Sequence, residues 1–244
     1  MSRMMTINCD LGEGLDEIDA LVMPYLHQAN IACGGHAGDP VSMARTAKLA
    51  QQYSVQVGAH PSYPDRKNFG RLSLDLPPDA LYASLQEQVR SLIAVGKTLG
   101  IDVTYIKPHG ALYNDANTHH SVRQTLYHLA SEFQLPLMLQ ALPKINQTVR
   151  LAEVERPKLK IIAEAFADRA YTHEGLLVKR DQPHAVHSDI HTILAQVESL
   201  HLHHGLYADD GQWLTLEAET LCVHSDTPNA VETVRAIKQA LENF

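Results

Sequence analysis

The chain has 244 residues, 45% of them hydrophobic, which is enough for one sizeable core, and no low-complexity stretch or long Gly/Ser linker divides it. The formal net charge is −8 with histidines neutral, and no basic run is present of the kind that tracks a phosphate backbone, so nucleic acid is excluded as an expected partner. An anionic substrate must be drawn in by a few local cations.

The N-terminus, Met1–Ile7, lacks the apolar run of a signal peptide. No apolar stretch approaches the roughly 20 residues needed to span a bilayer, so no membrane association is expected. Cys9, Cys33 and Cys222 are few, odd in number and widely spaced. They read as free thiols of a reducing, cytoplasmic compartment.

In chain order, short apolar runs predict strands at Met5–Asn8, Gln28–Ala32, Val55–Ala59, Val103–Ile106, Leu137–Leu139, Leu159–Ala163 and Thr220–Val223. Helical periodicity falls between them. In Leu81–Leu99 the residues Leu81, Leu85, Val89, Leu92, Ile93 and Leu99 share one face, and Pro77-Pro78 suits the first turn. Ser121–Phe133 and Asp189–Leu202 also read as helices. A last helix is expected at Pro228–Asn243, with Thr227 as N-cap and Pro228 at the first helical position. Strand–helix alternation predicts an α/β fold with a mostly parallel sheet and helices outside it. About seven such units fit either a closed barrel or an open doubly wound sheet, and periodicity does not choose between them.

Most strands run into a polar cluster: Asn8–Glu13, Asn30–Asp39, Gly58–Asp65, Lys107–Tyr113, Glu164–Arg169 and Cys222–Asp226. In a parallel α/β fold the strand C-termini emerge on one face, where ligands bind. Clusters far apart in sequence are therefore expected to share one cleft. His60 and Lys107 each precede a proline, which favours the extended geometry of a strand's last residue.

Asp10 and Glu13 are the first acid/base candidates, one to take a proton from water and one to help a leaving nitrogen depart. Glu13 could equally orient a loop. His36, His60, His109 and His224 could supply acid/base groups, oxyanion donors or metal ligands, although any one alone could be structural. Asp39 precedes Pro40 in an ordinary capping arrangement, and Asp226 lies just ahead of a helix. Lys107 could neutralise a substrate carboxylate or a phosphoryl oxygen. Arg71 and Arg169 are further anion clamps, or hold structural carboxylates such as Asp65 and Asp168. Catalytic roles are thus expected of Asp10, Glu13, His60, Lys107 and His109. Substrate contacts are expected of His36, Asp39, Arg71, Glu164, Arg169 and His224.

His119, His120, His201, His203 and His204 are expected at the surface, and Trp213 in a hairpin-like turn. Gly96-Lys97-Thr98 mimics the end of a phosphate loop, but it lies inside the Leu81–Leu99 helical pattern, where no phosphate cradle forms.

Taken together and in this order, the six clusters, with Phe69–Arg71, resemble the LamB/YcsF family over almost the whole chain. The resemblance implies a seven-stranded (β/α) barrel of the glycoside hydrolase/deacetylase type, as one domain over residues 1–244. It implies ATP-dependent cleavage of 5-oxoproline to L-glutamate with release of ADP and phosphate, with ATP entering as co-substrate with Mg2+. Partner subunits B and C are implied as well. Gly35, Ser225 and His184-Ala185-Val186 depart from the family's usual pattern, and Gly35 is expected to widen or loosen the pocket floor. Two other readings stay open at this stage. One is a metal-dependent deacetylase or carbohydrate hydrolase in which Asp10, His60 and His109 hold the ion. The other is a non-catalytic component that only presents 5-oxoproline to its partners.

Overall fold

The computed structural model describes residues 5–143, 158–227 and 229–244. Seven parallel strands close into a barrel in the order β1 (Thr6–Leu11), β2 (Gln28–Ala32), β3 (Gln56–His60), β4 (Val103–Ile106), β5 (Leu137–Gln140), β6 (Ile161–Phe166) and β9 (Thr220–Cys222). β9 pairs with β6 on one side and β1 on the other, with Glu164 opposite Thr220 and Asn8 opposite Cys222. No edge is left in the ring, which resolves the sequence ambiguity in favour of the closed barrel. A separate antiparallel hairpin, β7 (Gly205–Tyr207) and β8 (Trp213–Thr215), lies outside it. Trp213 opens the return strand of this hairpin and packs edge-on against Tyr207.

The described helices are α1 (Asp16–Val22), α2 (Pro40–Gln52), α3 (Pro78–Leu99), α4 (Gly110–Thr118), α5 (His120–Phe133), α6 (Ile190–His203) and α7 (Ala230–Asn243). In α3, Leu81, Leu85, Val89 and Leu92 are buried, and Ile93 and Leu99 pack partly buried against the core. Gly96-Lys97-Thr98 is helical, as its pattern requires. α2 begins with a full capping box: Asp39 accepts from the Val41 and Ser42 amides, and Ser42 Oγ accepts from the Asp39 amide.

Two helix-level expectations change. The N-cap of α7 is Asn229, in left-handed geometry, while Thr227 Oγ1 donates to the His224 carbonyl; Pro228 lies outside the described residues. His201 is buried and stacks on Phe244, so it is not a surface residue.

Side chains alternate across each strand. The outward set, including Ile7, Cys9, Leu11, Ala29, Ile31, Val57 and Ala59, belongs to the apolar core under the helices. The other set builds a polar lumen. Thr220 Oγ1 donates to Gln28 Oε1 (2.8 Å), Asn8 Nδ2 to Thr220 Oγ1 (3.0 Å), Asn30 Nδ2 to Asn8 Oδ1 (2.8 Å) and Tyr105 Oη to Asn30 Oδ1 (2.7 Å). Every buried polar group in this ladder finds a partner across the barrel, which offsets its desolvation. Gly58 leaves room for the Tyr105 ring, because a Cβ there would lie 2.1 Å from it.

Candidate active site

The strand C-termini open into a cavity of about 630 Å³ lined by Asp10, Glu13, Lys107, His109, His224 and the rim residues around them. At its floor the Lys107 ammonium, 2% exposed, lies 3.0 Å from Asp10 Oδ1, 2.8 Å from Glu164 Oε1 and 3.1 Å from Asn8 Oδ1. Burial alone would lower the Lys107 pKa, but Asp10, Cys222 and Glu164 outweigh it and hold the amine charged, well above its usual range. Asp10 shows the mirror case. Burial would raise it, yet His60 and Lys107 hold it well below the usual carboxylate range. Its Oδ1 also accepts from Asn30 Nδ2 (2.8 Å), while Oδ2 lies 3.3 Å from His60 Nε2.

Backbone carbonyls fix the tautomers of two neighbouring histidines. His60 Nδ1 lies 2.8 Å from the Lys107 carbonyl, and His109 Nε2 lies 3.1 Å from the Phe69 carbonyl. A carbonyl only accepts, so each of these nitrogens carries the hydrogen. His60 Nε2 and His109 Nδ1 then face each other 2.9 Å apart. In that tautomer each ring turns its remaining nitrogen to the other, so either could serve as an oxyanion donor only with an additional proton on the pair. Burial and the nearby His36 hold the His109 pKa well below its usual value.

Glu13 Oε1 closes this group, 3.4 Å from His109 Nδ1, 3.8 Å from His60 Nε2 and 2.7 Å from His36 Nε2. Burial and the Asp10 charge push Glu13 up to about 7. His36 stacks flat on His109 at 3.6 Å, and burial together with His60 lowers it to about 2. His36 is therefore a neutral support for Glu13, behind the cavity wall. It is expected from sequence to contact substrate, but it is not among the residues that line the cavity.

The opposite wall carries a second His–carboxylate pair. His224 Nδ1 donates to the buried Asp168 (2.9 Å), which leaves Nε2 available to the cavity. Burial would raise Asp168, but the His224 contacts hold it below the usual range. At the rim, Arg71 donates to Asp226 (2.9 Å), and Arg180 approaches the same carboxylate at 3.9 Å. Arg71 is held in place by a close backbone approach: the Ala111 amide donates to the Gly70 carbonyl (2.9 Å), and a Cβ on Gly110 would lie 2.5 Å from that oxygen.

Most of the residues expected from sequence thus meet in one place. Asp10, Glu13, Lys107, His109, Arg71, Arg169 and His224 line the cavity, and His36, His60 and Glu164 stand directly behind it. Glu164 is fully buried, accepts from Tyr113 (2.6 Å) and balances Lys107, outside the cavity lining. Arg169 spends Nε and one terminal nitrogen on the Ala185 and Val178 carbonyls, which makes it first a brace for that loop. Asp39 is not in the cavity lining; its carboxylate is used as the α2 cap. Gly35 does not loosen the floor, because Ser62 Oγ and Gln88 Oε1 lie 2.3 and 2.4 Å from where its Cβ would be. Ser225 Oγ donates to the Asp10 carbonyl (3.1 Å). Sequence reasoning passed over Asn8, Asn30 and Tyr105, whose signal was the period-2 alternation of polar residues within the strands.

Among the described residues two groups have donor atoms close enough to share a metal ion: Glu13, His36, His60 and His109, and Asp10, Cys222 and His224. The Lys107 ammonium lies 3.0 Å from Asp10 and 3.2 Å from Cys222 Sγ, and its charge disfavours a cation in the second group. Of the metal set expected from sequence, His60 and His109 group with Glu13 and His36, while Asp10 gives Oδ1 to Lys107 and Asn30 and keeps Oδ2 3.3 Å from His60 Nε2.

Known proteins are similar to this chain over almost its whole length. A protein from Pseudomonas putida, named as a second form of the 5-oxoprolinase A subunit, is 44% identical over 98% of this chain and 95% of its own length. One from Vibrio cholerae, named as the 5-oxoprolinase A subunit, is 41% identical over 98% of each. Among solved structures, a lactam utilization protein from Thermus thermophilus superposes with a TM-score of 0.86 at 33% identity, covering 98% of this chain and 96% of the other. Residues 5–244 match the LamB/YcsF family, and the chain belongs to it.

Proposed function

We propose that this chain is the A subunit of an ATP-dependent 5-oxoprolinase, opening the lactam of 5-oxoproline to L-glutamate with release of ADP and phosphate. Whole-length similarity to proteins of that name supports the activity. The observation that carries the chemistry is a cavity with an ionised carboxylate, Asp10, on its floor and the His224–Asp168 pair on its wall.

A five-membered lactam is a poor electrophile. Transfer of the γ-phosphoryl group of ATP to the amide oxygen forms an O–P bond, releases ADP and makes the ring carbon attackable. Water then adds to that carbon and gives its proton to Asp10 Oδ2, the oxygen not engaged by Lys107 or Asn30. The C–N bond breaks as His224 Nε2 delivers a proton to the nitrogen, with Asp168 stabilising the charged ring. The resulting acyl phosphate is hydrolysed to glutamate and phosphate. Lys107 contributes fixed positive charge beneath the reacting carbon. Glu13, expected from sequence to assist the leaving nitrogen, is instead enclosed by three histidines.

The cations at the mouth, Arg71, Lys179 and Arg180, suit the substrate carboxylate and the phosphates of Mg·ATP. Partner subunits B and C complete the enzyme, in the cytoplasm. The buried free thiols Cys9, Cys33 and Cys222 support a reducing compartment, and no described helix is long and apolar enough to cross a membrane. The test is 5-oxoproline consumption coupled to ADP release, measured for this chain, for B plus C, and for all three. Activity is expected only with all three and is lost in Asp10→Asn. Full activity from B plus C, or from a folded Asp10→Asn complex, would refute the assignment.

A further inference from the structure

The inner histidine group makes no use of its own lone pairs. The Lys107 and Phe69 carbonyls hold hydrogens on His60 Nδ1 and His109 Nε2, so the remaining ring nitrogens turn their lone pairs on one another at 2.9 Å. Two lone pairs at that distance repel unless a positive species lies between them. A proton would bridge only two atoms, whereas here carboxylate oxygens converge as well: Glu13 Oε1 is 3.4 and 3.8 Å from the two nitrogens, and Asp10 Oδ2 is 3.3 Å from His60 Nε2 alone. A tetrahedral ion with bonds of about 2.0–2.2 Å spaces its donors about 3.3–3.6 Å apart, and a right-angled pair about 2.9 Å. The three observed separations fall around these values without movement of the backbone.

We infer that His60 Nε2, His109 Nδ1 and Glu13 Oε1 bind a divalent first-row transition-metal ion, with His36 donating to Glu13 and fixing its orientation. Two imidazoles and one carboxylate select zinc, cobalt, nickel or iron over magnesium, which prefers oxygen ligands and keeps its waters. The site is therefore distinct from that of the magnesium carried with ATP. Glu13 and His109 line the cavity while His60 is fully buried, so an ion held there presents its open position to the substrate. If the lactam reading is right, that position receives the lactam or phosphoryl oxygen.

The test uses the full chain, stripped with chelator and titrated with Co2+ while calorimetry and visible absorption are recorded. One cobalt per chain is expected, displaced by Zn2+ and not by a large excess of Mg2+. Glu13→Gln, which keeps the shape of the side chain, should weaken binding at least tenfold, and His109→Gln should abolish it. His224→Gln should leave it unchanged. Thermal melts in chelator report whether each variant is folded. A titration with no saturable signal overturns the site and leaves a shared proton as the bridge. Cobalt binding that survives Glu13→Gln and His109→Gln but is lost in His224→Gln also overturns it, moving the ion to the Asp10 group. A chain that binds cobalt yet gives no 5-oxoproline turnover with B and C sinks the oxoprolinase reading alone. Turnover without cobalt binding sinks only the metal site.

Discussion

Lys107 Nζ stands 2.8 Å from Glu164 Oε1, and the two side chains are 2% and 0% exposed. A pair this deep is held by its own complementarity, since neither charge can turn to water. Lys107→Met strands Glu164 and should cost on the order of 3–5 kcal/mol in urea unfolding. Adding Glu164→Gln removes one of the two stranded carboxylates, the other being Asp10 at 3.0 Å, and should recover part of that loss. A single variant that loses less than about 1 kcal/mol would show that the pair does not hold the floor together.

The Asp168–His224 pair gives a signed pH dependence. Burial works against the Asp168 carboxylate, but the His224 contacts depress its folded-state pKa below the unfolded value of about 3.9. The stability this contributes is present above that value and is lost as pH falls through the lower, folded-state pKa. Asp168→Asn should therefore cost about 1–3 kcal/mol at pH 7. The deficit should shrink in thermal melts taken progressively below pH 4, a window set by that reference pKa of about 3.9. Turnover in the complex should fall on the order of a hundredfold or more, because the ring proposed to carry the proton loses its anchor. A deficit that grows towards acid pH would have the wrong sign for this account.

Arg71 is half exposed at the rim and shares Asp226 with Arg180, so it can exchange one carboxylate for another at little cost. Arg71→Ala should raise the KM for 5-oxoproline about tenfold and leave kcat nearly unchanged, as expected for a contact equal in ground and transition states. Steady-state kinetics of the assembled enzyme separate the two. A fall in kcat at constant KM would place Arg71 in the chemistry instead.

Much of this is legible in the sequence, for a physical reason. Strand ends in a parallel fold share one rim, so polar clusters after apolar runs locate the cavity. The β2 and β4 boundaries agree residue for residue with the expectation. β1, β3 and β6 run on past theirs, to Leu11, His60 and Phe166, because the polar residues Asn8, Asp10, His60 and Glu164 face the lumen and belong to the strands. A search for apolar runs stops at the first of them, whereas a search for alternation would not. Roles are harder to read than positions. Whether His60 offers a hydrogen or a lone pair depends on which carbonyl its other nitrogen meets, and that carbonyl belongs to Lys107, 47 residues away. Asp39 shows the converse: its local capping pattern is fully visible in the sequence, and the cap is where its carboxylate goes.

Gly58 links the lumen's packing to the Asp10 carboxylate. The Tyr105 ring fills the space a Cβ would take, at 2.1 Å, and its hydroxyl donates to Asn30, which in turn donates to Asp10 Oδ1. The ring is buried and rigid, so it cannot turn aside as the end of a flexible chain would. Gly58→Ala should destabilise the protein by about 1–3 kcal/mol through overpacking. It should also lower kcat, because a displaced Tyr105 pulls Asn30 off the Asp10 oxygen. The double variant Gly58→Ala/Tyr105→Leu relieves the overlap without restoring the hydroxyl. Its melting temperature should rise above that of Gly58→Ala while its turnover stays low. Recovery of both would mean that Asn30 holds Asp10 without help from Tyr105. A neutral Gly58→Ala would mean that the barrel has slack at this layer.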